Sequence, residues 1–270
     1  MDSAKKLVVI TGGAGRVGTA LRPFLRSTYR LRLVDIKPPP EAPVEGEEFV
    51  QADVSELAAA ERAVQGADAV VHLSANASTS ATWSDVRGTN IEATYNAFES
   101  ARRQGAKKVV FATTNHVMGF YNLEGTWPIP TDIAIRPDSL YGVSKAFGEA
   151  LARYFCDTFG MSMHCIRIGW FTPQKPAVRN LLGLWISPRD LAQLVGLCLE
   201  SQRSFGIYNG TSNNTQHNHW DLQTARDDLG YAPQDDVAQA IDPAALRDQP
   251  YVEPQAGVLR AAANEQERRP

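Results

Sequence analysis

The sequence predicts an α/β fold, a doubly wound parallel sheet with a small carboxyl-terminal lobe. Three observations carry that expectation. Short apolar runs alternate with stretches of helical spacing, the first run empties into a glycine-rich loop, and small or polar residues collect where later runs end. In an open parallel sheet those run ends share one edge, and that edge is where such sheets bind ligands.

With 270 residues, 43% hydrophobic and 21% charged, the chain can bury a full core but is short for two independent domains. Residues 1–250 are expected as one domain, with a lobe drawn from about 170–186 and 205–245. Beyond about Asp242 the composition turns polar and proline-bearing, so 251–270 is expected as a mobile tail. A net charge of -3 and the lack of any Lys/Arg run supply no field for a nucleic-acid backbone. Cys156, Cys165 and Cys198 are odd in number and sit among apolar residues, which suits buried free thiols in a reducing compartment; neither metal nor disulfide is assigned. The amino terminus lacks the apolar core of a signal peptide and no stretch approaches a membrane span, so the expected location is cytoplasmic.

Lys6 to Ile10 is an unbroken apolar run ending at Thr11-Gly12-Gly13-Ala14-Gly15-Arg16-Val17-Gly18, and helical spacing follows from Thr19 to Leu25 despite Pro23. The glycines let the backbone turn tightly and approach a pyrophosphate seated on the free N–H groups of the helix start. The spacing reads as Gly12, Gly15, Gly18 or as Gly13, Gly15, Gly18. A second strand, Leu31 to Ile36, carries Asp35, 17 residues beyond Gly18, where an acid meets a ribose 2′-hydroxyl and repels a 2′-phosphate. That favours NAD over NADP, with Arg16 and Lys37 close enough to soften the preference. Phe49 to Ala52 forms the third strand, and Ser55 caps a helix through Val64. Asp53 between them is either an acceptor for an adenine amino group or a turn acid.

Ala69 to Leu73 forms the fourth strand and ends in the small residues Ser74-Ala75-Asn76-Ala77-Ser78, which permit close approach of cofactor and substrate or serve as ordinary loop. Asp85 to Arg103 reads as one long helix with Val86, Ile91, Tyr95, Ala97, Phe98 and Ala101 available for packing. Asn90 inside it is either a satisfied core amide or part of a proton relay. Lys108 to Ala112 delivers Thr113-Thr114-Asn115-His116 at the carboxyl edge, a set that suits a polyol. His116 is either a structural hydrogen-bonder or a substrate contact. An insertion from Phe120 to Pro137 reads as a surface loop bringing aromatics over the site. A helix from about Ser139 to Phe159, capped by Asp138 or Ser139, then places Tyr141 and Lys145 four residues apart on one face. A lysine beside a tyrosine that can face a bound cationic ring favours the phenolate, which is chemistry for taking a proton from an alcohol. Ser162 to Ile168 is the sixth strand, Pro188 starts a helix, Gly206 to Asn209 is a last short strand, and Asp227 to Tyr231 ends a short helix.

The glycine loop, His72-Leu73-Ser74-Ala75, Thr113-Thr114 and Tyr141-Gly142-Val143-Ser144-Lys145 together resemble the extended short-chain dehydrogenase/reductase superfamily, which has a Rossmann fold and includes the NAD-dependent epimerases and dehydratases. Phe111 to His116, Arg136 to Lys145 and Arg167-Ile168-Gly169 resemble, more narrowly, uronate dehydrogenases and archaeal glucose-6-phosphate dehydrogenases. The resemblance implies a catalytic set in which Thr114 orients the reacting hydroxyl, Tyr141 is the base, Lys145 holds the nicotinamide ribose and lowers the tyrosine pKa, and Asn90 supports the relay. It implies NAD contacts at Gly12, Gly15, Arg16, Val17, Gly18, Asp35, Asp53, Val54, Leu73, Ser74, Ala75, Thr113, Tyr141, Lys145 and Ile168. Substrate contacts are implied at Ser78, Thr114, Asn115, His116, Tyr141, Trp170 and Arg179. Trp170 departs from the pattern, since uronate dehydrogenases carry a small hydroxyl residue there that helps bind the carboxylate. A neutral aldose stacked on Trp170, or a sugar phosphate held by Arg179, therefore stands beside a uronate.

The expected activity is oxidation of C1 of a cyclic uronate or aldose to the aldonolactone with NAD. A nucleotide-sugar epimerase or dehydratase shares the same Tyr and Lys but needs more chain after Asn209 than remains here. A non-catalytic NAD-sensing regulator is the third reading, and the intact Thr114, Tyr141 and Lys145 speak against it. The resemblance also implies a homo-oligomer paired through helices near 85–103 and 139–159.

Overall fold

The structure, a computed structural model, describes residues 5–174 and 179–241. Seven parallel strands form one sheet: β1 (Leu7–Thr11), β2 (Arg30–Asp35), β3 (Glu47–Gln51), β4 (Ala69–His72), β5 (Lys108–Thr114), β6 (Ser162–Ile168) and β9 (Phe205–Gly210), in the order β3-β2-β1-β4-β5-β6-β9. A parallel sheet is covered on both faces, so its inner strands need apolar side chains in both directions. β1 and β4 meet that demand by being buried at every position. The strand order reverses between β1 and β4, which opens a crevice at the carboxyl ends of the strands.

One face packs against α1 (Arg16–Leu25) and α7 (Pro188–Glu200) through Leu21, Leu25, Leu191 and Val195. The other packs against α2 (Leu57–Val64), α4 (Ala93–Arg103) and α6 (Leu140–Phe159) through Val64, Phe98, Ala152 and Phe155. The sixth strand lies at Ser162–Ile168 as the spacing predicts, and the first helix begins earlier, at Arg16. Glu56, not Ser55, occupies the cap position of α2, because the Asp53 carboxylate takes both the Ser55 N–H and its hydroxyl.

The helix expected over 85–103 is present without a break but is not α-helical throughout. It runs as α3 (Trp83–Val86), a π-helical segment Arg87–Glu92, and α4. The Thr89 hydroxyl donates to the Asp85 carbonyl at 2.5 Å, and the Asn90 amide bonds outside the helix, so side chains compete with the local ladder. Tyr95, read as available for packing, meets Phe155 edge-on with ring centroids 6.4 Å apart but is otherwise exposed.

α6 is the helix that the site depends on. Ser139 caps it, its Oγ accepting from the Gly142 N–H, and Gly160 ends it in the left-handed region. Glu149 anchors its middle: the carboxylate accepts from Thr113 Oγ1 at 2.8 Å and from Arg167 Nε and Nη2 at 3.0 and 2.8 Å. Arg167 Nη1 also donates to the Thr131 carbonyl. A Cβ at Gly148 would overlap the Phe111 ring, so the missing side chain lets α6 lie flush on β5.

The insertion is more ordered than a plain loop. It opens with α5 (Gly119–Leu123), Trp127 stacks on His219 with ring centroids 3.6 Å apart, and Ile129 bridges to Trp220. Beyond β6, β7 (Trp170–Phe171) pairs with β8 (Trp185–Ile186), and α8 (Gln223–Leu229) and α9 (Val237–Ala240) follow β9. The three cysteines are buried and free, and among the described residues no helix is long and apolar enough to cross a membrane. The expected tail at 251–270 lies outside the described residues.

Replacing Arg167 by Met would leave the Glu149 carboxylate buried without its cation. Urea denaturation is expected to show a loss of about 3–5 kcal/mol, the range for breaking a buried pair from one side.

Candidate active site

The glycine loop turns at Gly12, whose φ of +69° suits a residue without a side chain. A Cβ there would lie 2.8 Å from Ser74 N, and one at Gly18 would lie 2.7 Å from the carbonyls of Gly12 and Gly13. Gly15 caps α1 and supplies no side-chain partner, so the first N–H groups of the helix face the crevice. Asp35 Oδ2 accepts from the Ala14 N–H at 3.1 Å, which docks the acid against the loop. Beside it lies a cavity of about 340 Å³. Its wall brings together Gly12, Gly15, Asp35, Asp53, Val54, Leu73, Ser74 and Ala75, all expected from the sequence as cofactor contacts, with Asn76 of the small-residue run and with Ile36, Ala52, Thr89 and Ala93, which were not expected there. Arg16 is exposed at the loop, whereas the Val17 side chain packs into the core, leaving only its backbone to the crevice.

That cradle fits a dinucleotide: two glycines that a methyl group would fill, free amides for the pyrophosphate, and an acid at the far end.

Asn90 is wholly buried and fully bonded. Its Oδ1 accepts from the Asn76 N–H at 2.8 Å, and its Nδ2 donates to the Asn76 carbonyl at 3.0 Å and to Ser144 Oγ at 2.9 Å. Ser144 Oγ donates in turn to the Tyr141 carbonyl. The residue therefore ties the loop after β4 to the Tyr141 turn of α6. The π segment is what aims it there, and Asn76 and Ser144, its partners, carry no signal a single sequence reveals.

Tyr141 and Lys145 are both buried on the inner face of α6. Burial raises the Tyr141 phenol, opposed by a hydrogen bond with Thr114. The lowering expected beside Lys145 belongs to a tyrosine that faces a bound cationic ring, and in the protein alone burial dominates. The Lys145 ammonium lies 4.6 Å from the centroid of the Phe111 ring, and burial lowers its own pKa to about 7. Behind it His72, held between Thr11 and Thr94, is pushed down to about 3 by burial and then by the Lys145 charge.

Thr114 is almost fully buried, and its Oγ1 accepts from the His116 N–H at 3.2 Å. The His116 ring stands 5.9 Å from the Tyr141 ring, centroid to centroid, and Asn115 lies buried beside Thr114. Thr113 points the other way, its hydroxyl committed to Glu149. Ile168 pairs with Thr114 in the sheet register. Ser78 is exposed and its hydroxyl bonds Ser80, so no hydrogen bond joins it to Tyr141 or His116. Trp170 is half-buried between two apolar clusters, one including Ala146 and Trp220 and the other Trp185 and Val237. Arg179 opens the 3-10 turn Arg179–Leu184, and its side chain lies outside the described residues. Among the described residues no cluster of His, Cys, Asp and Glu could hold a metal ion.

A glycine cradle at the switch point and a Tyr–Lys helix at the same sheet edge define a dinucleotide-binding α/β protein of Rossmann type. The chain belongs to the NAD dependent epimerase/dehydratase family, whose sequence model matches residues 8–209. It is 35% identical to a uronate dehydrogenase of Pseudomonas putida, over 94% of this chain and 96% of that one. It is 34% identical to an NAD-dependent glucose-6-phosphate dehydrogenase of Haloferax volcanii, over 86% and 94%. The crystal structure of uronate dehydrogenase from Agrobacterium tumefaciens superposes with a TM-score of 0.84 at 34% identity, covering 95% of this chain and 94% of that one.

The buried ammonium has a measurable cost. Between about pH 7 and 10.5 the unfolded chain holds a proton at Lys145 that the folded protein alone has shed, so stability rises with pH across that window. Lys145→Met is expected to stabilise the protein without added nucleotide by roughly 2–4 kcal/mol below pH 7, with the gain shrinking toward pH 10. Thermal unfolding at several pH values checks it.

Proposed function

We infer that the chain is an NAD-dependent sugar dehydrogenase that oxidises C1 of a cyclic uronate or aldose, free or phosphorylated, to the aldonolactone. The observation that carries this reading is the hydrogen-bonded Thr114 and Tyr141 at the carboxyl edge of the sheet, with Lys145 one turn along the same helix face. Gly12, Gly15 and Gly18, with the N–H groups of Arg16 and Val17, would hold the pyrophosphate. Asp35 would take the ribose 2′-hydroxyl, Asp53 and Val54 the adenine, and Leu73, Ser74, Ala75, Thr113 and Ile168 the inner part of the cofactor. When bound, NAD accepts the hydride from C1, and its cationic ring favours the phenolate form of a nearby tyrosine.

The chain's own part is proton removal and orientation. Thr114 holds the C1 hydroxyl, Tyr141 Oη takes its proton, and Lys145 fixes the nicotinamide ribose and adds a positive charge behind the phenolate. Asn90 keeps the loop after β4 seated on α6, a supporting role in any relay from Lys145. Asn115, His116 and Arg179 grip the sugar, with Ser78 and Trp170 at its margins. Trp170 packed in apolar surroundings favours a wall for the flat face of a pyranose. The lobe formed by 170–186 and 205–245, with the Trp127 to His219 stack beside it, shapes the substrate end.

The protein acts in the cytoplasm as a homo-oligomer paired through α4 and α6. Leu140, Val143, Phe147 and Tyr154 support that pairing, since they are exposed, apolar and spaced to share one helix face.

Tyr141→Phe is expected to lower turnover by roughly a hundredfold or more while leaving the Kd for NAD unchanged. The assay is NADH formation with glucuronate, galacturonate, glucose, galactose, xylose, arabinose and glucose 6-phosphate; near-wild-type turnover in the variant would remove the base. Phe147→Glu, which places a charge on the exposed stripe, is expected to shift the sedimentation coefficient to that of a monomer.

A further inference from the structure

His116 is not a free imidazole. Its Nδ1 lies 3.0 and 2.8 Å from the two carboxylate oxygens of Asp138, and the Asp138 N–H donates to the His116 carbonyl at 3.3 Å. The carboxylate is itself fixed. Ser139 Oγ donates to it at 2.9 Å, its side chain is only 10% exposed, and a Cβ at Gly119 would fall inside it. An ionised carboxylate can only accept, so Nδ1 is the nitrogen that carries the proton. In the ring's neutral form the bare nitrogen is then Nε2, for which the described residues supply no partner.

The geometry points to Asp138 as a positioning residue that fixes His116 as a hydrogen-bond acceptor, so that His116 reads a ring hydroxyl of the sugar and not its carboxylate or phosphate. A hydroxyl can donate to the lone pair, whereas an anionic oxygen meets it acceptor to acceptor. Any anionic group must therefore be held elsewhere in the site. This rests on the reading of His116 as a sugar contact, and it adds the ring's polarity and the residue that sets it.

Two measurements test it. Nitrogen NMR of the His116 ring in the intact protein above neutral pH is expected to show Nδ1 protonated and Nε2 bare; the opposite tautomer or an imidazolium overturns the proposal. In steady-state kinetics on the best sugar of the panel, Asp138→Ala is expected to raise KM about tenfold with the Kd for NAD unchanged. In a His116→Ala background the same change is expected to add nothing. An equal further loss in that background would mean that Asp138 acts through the Ser139 cap, and overturns the proposal. Gly119→Ala, which displaces the carboxylate without removing its charge, is expected to raise KM as Asp138→Ala does, and an unchanged KM overturns the proposal even if Asp138→Ala fails to fold. If His116→Ala leaves KM unaltered, the sugar contact itself fails and the proposal falls with it; if His116→Ala raises KM and Asp138→Ala does not, only the positioning role is lost.

Discussion

A single buried carboxylate aligns the helix that carries Tyr141 and Lys145. Glu149 sits two turns beyond Tyr141 and one beyond Lys145, and it is bonded at once by β5 through Thr113 and by β6 through Arg167. Desolvating a charge is costly unless good geometry repays it, and here three donors converge on two oxygens. The arrangement does more than neutralise a charge. Because Arg167 also holds the Thr131 carbonyl, the wall that carries Trp127 and Ile129 is referenced to the same helix as the phenol. Sheet, helix and lobe share one fixed point.

On that frame the site is built from opposed electrostatic demands. Burial raises Tyr141 and lowers Lys145, so each group is driven toward its neutral form by the same dry surroundings. With NAD held in the cradle, its cationic ring would favour the charged phenolate over the neutral phenol at Tyr141. Apolar walls and the neutral His72 below Lys145 keep water from screening the change. On the proposed reading, activation of Tyr141 as the base would be coupled to occupancy of the cradle.

Much of this was legible in the chain. Apolar runs and glycine punctuation located the strands, including Ser162–Ile168, and eight proposed cofactor residues line one cavity because turn chemistry and strand ends are local features. The illegible parts depend on contacts far apart in sequence. Periodicity cannot encode the π segment at Arg87–Glu92, since its cause includes the Asn76 backbone and the Ser144 hydroxyl. The pairing of Glu149 with Arg167 is not visible in the chain, because it forms only when α6 packs against β6. Asp138 reads as an alternative helix cap, and only the folded chain shows its carboxylate on His116, 22 residues away. Tyr95 shows a related limit: it packs edge-on against Phe155 yet stays exposed, and periodicity does not tell such a position from a core one.

Gly148 has a broader consequence. With no atom between the α6 backbone and the Phe111 ring, helix and sheet are in contact at their closest possible spacing. Even one methyl group would act as a wedge under the middle of the helix and tilt both ends, carrying the phenol and the amine away from the sheet edge together. Activity is therefore hostage to a position that touches neither nucleotide nor sugar.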